Sequence, residues 1–210
     1  MEKGNWNEIK PKLQETINII FDSCEIDKLT DYEKRKMIFE YLCNNVTYDF
    51  ELLESIRTGE FVRNKVARNP YYELASVIDN KHGICNAISQ YYKLLLEQVG
   101  ISAYCVITHD GTDVLHQLNL VVDPNNYSYS FDDVTSVIVG RGSIGDFFDY
   151  DLEKANKMNQ GLVTIMNKYE WFILTESYIS YLVGRKDSPT ITLDTLPANI
   201  RSSVPKGIKK

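Results

Sequence analysis

From Ile84 to Val99 the chain carries apolar residues on nearly every side of a helix: Ile84, Ile88, Tyr91, Tyr92, Leu94, Leu95, Leu96 and Val99. A helix without a polar face has to be surrounded by other elements, so the rest of the chain must wrap it. Gly100 is its expected stop, because glycine accepts the left-handed backbone that ends helices. Gly83 stands just before it and is expected to let the backbone turn tightly. Between that glycine and the apolar run lies Cys85, at the first turn of the buried helix.

The flanking segments read in order. Trp6, Ile9, Leu13, Ile17, Ile20 and Phe21 recur at helical spacing and predict an outer helix over 6–21. Thr30-Asp31-Tyr32-Glu33 is a capping box, so a second helix starts there and ends near Asn44-Asn45. Val46 to Asp49 reads as extended, 50–56 as a short helix, and 57–70 as a polar, basic loop. Helical turns follow from Tyr71 to Ile78. Beyond Gly100 the period changes to two. Ser102–His109, Val114–Val122 and Tyr127–Asp132 read as three strands, separated by His109-Asp110-Gly111 and Asp123-Pro124-Asn125 turn signals. Residues 134–146 are expected to be irregular, 149–157 helical, and 162–183 mainly a helix that closes the fold. These elements make one α+β domain over 1–184, an antiparallel meander packed on the central helix with extra N- and C-terminal helices. Residues 185–210 are expected to form a loosely held tail.

Bulk properties exclude some functions. The net charge is −6, which leaves no general electrostatic footprint for nucleic acid. No stretch approaches the length of a membrane span; the nearest, Trp171 to Val183, is interrupted by Glu176. Met1 to Asn7 is polar and lacks the apolar centre of a secretory leader, so a cytoplasmic location is expected. The cysteines Cys24, Cys43, Cys85 and Cys105 form no C-x-x-C pair, which gives a zinc or redox site no support. Reduced thiols are the expectation for such a location. Asp149 and Asp151 do not fit a calcium loop and read as solvated.

Cys85 is the residue on which chemistry converges. Unpaired N–H groups at a helix start favour a thiolate and can hold an oxyanion. A nearby imidazole can take the thiol proton, and a carboxylate on its far nitrogen fixes its tautomer. His116 and Asp133 follow in that order, on or just after neighbouring strands of the predicted meander. His82 and His109 are weaker bases by position, one preceding the helix and one preceding a turn. Cys24, Cys43 and Cys105 sit in apolar contexts and read as structural. Tyr48, Tyr71 and Tyr72 read as core packing or as groove lining.

Gly83-Ile84-Cys85, His116-Gln117-Leu118-Asn119-Leu120-Val121 and Phe131-Asp132-Asp133-Val134-Thr135 together resemble the core of the transglutaminase-like superfamily, papain-like thiol enzymes with a Cys-His-Asp triad. Tyr41 to Asp49 and Leu96 to Ile101 are similar to the segments flanking the nucleophile helix in that family. The resemblance covers about 30–160. It implies Cys85 as nucleophile, His116 as general base and Asp133 as its orienter, Asp133 being chosen over Asp132 because Thr135 follows it by two. It implies attack on an amide carbonyl, a thioester intermediate, release to water or an amine, a protein or peptide substrate, and no cofactor. Leu118 and Ser136 stand where the family usually has aromatics. Two alternatives remain beside the enzyme: a binding module on the same fold with a vestigial triad, and an assembly protein that uses the aromatic 162–183 segment.

Overall fold

The computed structural model describes residues 3–58, 70–109, 115–123, 128–158, 163–167 and 170–173. They divide into two compact units, Met1–Ile101 with Asp133–Phe148, and Ser102–Asp132 with Asp149–Lys210.

The first unit is helical. It contains α1 (Lys3–Ile20), α2 (Asp31–Asn45), α3 (Phe50–Arg57), α4 (Pro70–Asn80), α5 (Cys85–Gln98), α6 (Val134–Ile138) and α7 (Ile144–Phe147), with two short strands, β1 (Thr47–Tyr48) and β2 (His82–Gly83). Helix α5 is the centre, packed by α1, α2, α4 and α6. Its Ala87, Ile88, Tyr91, Tyr92, Leu95 and Leu96 are all buried, as a helix apolar on all sides demands. The two tyrosines find different partners. The Tyr91 hydroxyl meets Thr16 Oγ1 at 2.8 Å, and the Tyr92 ring stands edge-on to Phe39 with centroids 5.8 Å apart. Helix α1 turns Ile9, Leu13 and Ile17 inward and leaves Ile19 outside.

Local signals set the ends of these helices. Thr30 Oγ1 accepts from Glu33 N at 3.3 Å while the Glu33 carboxylate accepts from Thr30 N at 2.8 Å, closing the expected capping box. Asp49 caps α3 by accepting from Leu52 N at 2.8 Å. Gly100 takes φ +83° and stops α5, with Ile101 N donating to Leu96 O at 3.0 Å. Residues 134–146, expected to be irregular, instead hold the two short helices α6 and α7. Each has a cap that explains it: Asp133 for α6, and a Ser143–Asp146 capping box for α7.

The second unit is an antiparallel sheet of β3 (Ser102–His109), β4 (Leu115–Asp123), β5 (Ser128–Asp132), β6 (Val163–Asn167) and β7 (Glu170–Ile173), in the order β5-β4-β3-β6-β7, with helix α8 (Leu152–Met158). The meander β3-β4-β5 is the one its alternation predicts, with Tyr104 opposite Leu120 and Leu120 opposite Phe131. The expected closing helix over 162–183 is not what forms where that stretch is described. β6 pairs with β3 through Ile165 opposite Val106, and β7 pairs with β6 through Phe172 opposite Ile165. Valine, threonine and isoleucine in β6, and tryptophan and phenylalanine in β7, are strand formers that fit a pleated surface once β3 offers a free edge. Of the loop expected at 57–70, Arg57 instead ends α3 and Pro70 begins α4, while 59–69 lie outside the described residues, as does the expected tail at 185–210. Among the described residues no helix is long and apolar enough to cross a membrane.

Candidate active site

The corner around Cys85 is built by two strands that meet from distant parts of the sequence. β1 and β2 run parallel, with Thr47 opposite His82 and Tyr48 opposite Gly83. Asp49 N donates to Gly83 O at 3.0 Å and Thr47 N to Lys81 O at 2.9 Å. Gly83 is therefore part of a strand pair and not the tight turn expected of it. Its need is for space: a Cβ there would lie 3.3 Å from the Cβ atoms of both Val77 and Ala87. The missing side chain lets α4 and α5 close on the strand.

Cys85 follows as the first residue of α5 and is 8% exposed. Ile84, at the cap position, provides no side-chain acceptor for the helix start. Tyr48 takes up part of that role. Its hydroxyl stands beside the Cys85 backbone N–H and the Cys85 side chain and interacts with both. Burial first, and then the charge and hydrogen bond of the Cys85 thiol, push the Tyr48 hydroxyl above its ordinary value; the Cys85 N–H and the Arg141 cation act the other way. So one hydroxyl stands beside both the thiol and the helix-start amide. Tyr48 was legible in the sequence only as a tyrosine of uncertain use, and the strand pairing is what gives it a place.

Asp133 lies in the same unit, as the N-cap of α6, which packs against α5, α2 and β1. It is 3% exposed, and Ser136 engages both of its oxygens: the backbone N–H at 3.0 Å to Oδ1 and the hydroxyl at 2.7 Å to Oδ2. Asp132 serves elsewhere. In the second unit it pairs with Asn119 across β4–β5, and its Oδ1 accepts from Asp149 N at 2.9 Å, where Asp149 holds a left-handed backbone of φ +57°. The two aspartates are thus separated in role, as alternation along an extended chain predicts.

His116 lies on β4 of the second unit, opposite Thr108, and is 8% exposed. Its backbone carbonyl accepts from Thr108 Oγ1 at 3.4 Å. Leu118, two residues on along the same strand, is buried. His82 belongs to the first unit and is held by its own partners: Nδ1 lies 2.8 Å from Thr47 Oγ1 and Nε2 3.4 Å from Asp49 Oδ2. The His109, Tyr71 and Tyr72 side chains are outside the described residues.

All four cysteines are free thiols. Cys43 is a poor nucleophile, because burial and then the charges of Glu40 and Asp133 push its thiol up to about 12. Cys105 lies 3.9 Å from Asn119 Nδ2 across the β3–β4 pair, a weak contact suited to a structural thiol. Among the described residues no group of three or more His, Cys, Asp and Glu side chains is placed to hold a metal.

No family model matches the chain, and no curated protein matches it. Its fold is similar to that in the crystal structure of a TGase, with a TM-score of 0.51 and 21% identity over 68% of this chain. The match spans 35% of that protein's chain, about a third of its length. The likeness is one of fold, and it supports a transglutaminase-like mixture of helix and sheet.

Proposed function

We propose that the protein is a thiol-dependent acyl enzyme that attacks an amide carbonyl through Cys85. The observation that carries this is Cys85 as the first residue of the buried helix α5, itself 8% exposed, with the Tyr48 hydroxyl beside it. A carbonyl attacked by that sulfur develops negative charge on its oxygen. A neutral hydroxyl and a helix-start N–H are the donors that such an oxygen needs. In the proposed reaction His116 takes the thiol proton as sulfur attacks, and returns it to the leaving amine as the thioester forms. Water or a second amine then releases the acyl group. Asp133 orients the imidazole, and Ser136 holds Asp133. The order Cys85, His116, Asp133 and the fold likeness support these roles.

A second alternative, a binding module that has lost catalysis, is favoured by one fact. Asp133 has a structural reason to be where it is, since it caps α6 with both oxygens engaged by Ser136. One experiment separates the two. p-Nitrophenyl acetate is offered to the protein and the acylated residue is mapped by mass spectrometry. The enzyme gives a burst of p-nitrophenolate with acetate on Cys85, and turnover that Asp133→Asn lowers by about 10²–10⁴-fold while its cap is kept. Added amine speeds the release if the acceptor is an amine. A protein that acylates no faster than its Cys85→Ala variant is not this enzyme.

A further inference from the structure

Lys81 holds a backbone that lysine rarely takes. It follows directly on α4, which ends at Asn80, and adopts φ +56°. A left-handed residue in that place ends a helix, and glycine or asparagine is the usual choice because a side chain strains it. The lysine side chain has a use that glycine does not supply. Its Nζ donates to Ile78 O at 2.8 Å, in the last turn of α4, and to the Tyr91 hydroxyl at 3.1 Å, within α5. Tyr91 is fully buried, and its neighbours settle the direction of its bonds. Thr16 Oγ1 donates to Lys12 O at 3.0 Å, so it accepts from the Tyr91 hydroxyl at 2.8 Å, whose oxygen in turn accepts from Lys81. The ammonium therefore heads a chain of donors that runs from the end of α4 through α5 into α1. The Lys81 carbonyl opens the strand pair: it accepts from Thr47 N at 2.9 Å and from Thr47 Oγ1 at 3.3 Å.

One residue thus ties β1 by its carbonyl and the middle of α5 by its side chain. Cys85 lies in the chain between Lys81 and Tyr91, so these ties close a circuit around it. Tyr48 stands opposite Gly83 on the strand that the Lys81 carbonyl holds. We propose that Lys81 is a positioning residue for Cys85: its ammonium, clamped between Ile78 O and the Tyr91 hydroxyl, holds β2 in register along the start of α5 and so sets the thiol against the strand that carries Tyr48. The left-handed strain is what it costs to put this side chain, in place of glycine, at the helix end. Lys81 acts through the backbone and touches no substrate. This inference rests on Cys85 being the reacting thiol.

Two substitutions separate the ammonium from the strained backbone. Lys81→Met keeps a long side chain and the left-handed φ but removes the charge and its donors. Lys81→Gly removes the side chain and relaxes the φ. Both should slow the p-nitrophenolate burst at Cys85 by about 10–100-fold per folded molecule, as a misplaced reacting group does. Urea unfolding of each variant supplies the folded fraction. Lys81→Arg keeps a cation and its donors, so it should recover most of the loss. A burst in Lys81→Met within about threefold of the wild type, once corrected for folding, overturns the proposal. So does an equal loss in Lys81→Met and Lys81→Arg, which would assign the effect to packing. A second readout needs no reactive thiol. The Thr47 amide donates to Lys81 O and the Asp49 amide to Gly83 O, whereas the Val46 amide donates to Leu42 O at 2.9 Å, within α2. By hydrogen exchange, Thr47 and Asp49 should open about 10-fold more readily in Lys81→Met while Val46 keeps its rate. No change, or an equal change at all three, overturns the positioning. If those amides loosen as expected but the wild type acylates no faster than Cys85→Ala, the enzyme fails and the hold of Lys81 on the strand pair stands.

Discussion

Tyr48→Phe removes one oxygen and leaves nearly everything else. The ring stays, and with it the edge contact to Phe50 at a centroid distance of 4.9 Å. What is lost is the interaction of the hydroxyl with the Cys85 side chain and with the Cys85 N–H. As a matter of stability this is a partly buried hydrogen-bonding hydroxyl, worth about 0.5–1.5 kcal/mol. As a matter of catalysis the cost is larger if the hydroxyl serves the oxyanion. Removing one such donor slows acyl transfer by about 10²–10³-fold, or about 2.7–4 kcal/mol of transition-state stabilisation. The two magnitudes are separable in one variant. Urea unfolding reads the first. The burst rate of p-nitrophenolate, with Cys85→Ala as blank, reads the second. The pH profile adds a sign. The hydroxyl is held above its ordinary value, so it remains a protonated donor through the pH near 10 at which a free tyrosine ionises, and the wild-type burst should show no loss from this group there. A Tyr48→Phe burst within about threefold of the wild type, or faster, refutes the role, and a faster one would mean that the hydroxyl restrains the thiol.

Other outcomes follow from single contacts. Gly83→Ala puts a methyl 3.3 Å from the Cβ atoms of Val77 and Ala87, neither of which can move without its helix, so it should destabilise by about 1–3 kcal/mol and slow Cys85 acylation. A urea midpoint at or above the wild type would contradict that. Cys43 sits at about 12 against an ordinary 9.0, a rise that cuts thiolate by about a thousandfold while greater nucleophilicity returns about 20-fold. Native Cys43 should therefore alkylate about 50-fold more slowly than in the unfolded protein at mildly alkaline pH, which quantitative mass spectrometry of the labelled peptide will check. The same rise carries a sign for stability. The fold favours the neutral thiol, so the contribution is complete below the ordinary 9.0 and is lost as pH climbs toward about 12, a loss that Cys43→Ala should lessen in an alkaline unfolding series. Ser136→Ala removes the 2.7 Å bond to Asp133 Oδ2 but leaves the backbone cap, so acylation should fall while Ser136→Thr restores it. Equal loss in both variants would mean that the hydroxyl only packs.

Much of the first unit could be drawn from the chain because its boundaries depend on neighbours. Thr30 and Glu33 close a cap across one turn, Gly100 ends α5 with its own backbone, and the apolar run after Cys85 predicts its own burial. α6 and α7 were legible in principle too. Their caps, Asp133 to Ser136 and Ser143 to Asp146, span three residues, but each helix is short and its apolar pattern gives no period to count. β6 and β7 are another matter. Val163–Asn167 and Glu170–Ile173 carry strand-forming side chains, but a short apolar run looks alike as helix or strand until a partner edge is known.

The sequence by itself determined that Cys85 would open a buried helix, because helix start, period and stop are all encoded within a few residues of each other. It also ordered His116 and Asp133 behind that cysteine. Only the tertiary structure decided what stands against the sulfur. Tyr48 reaches Cys85 because Thr47 pairs with His82 and Tyr48 with Gly83, a parallel bridge between segments far apart in the chain. The fold likewise divided Asp132 from Asp133, giving one to Asp149 and the other to Ser136. Pairings of that kind are selected by the energy of the assembled fold, and no local pattern of residues carries them.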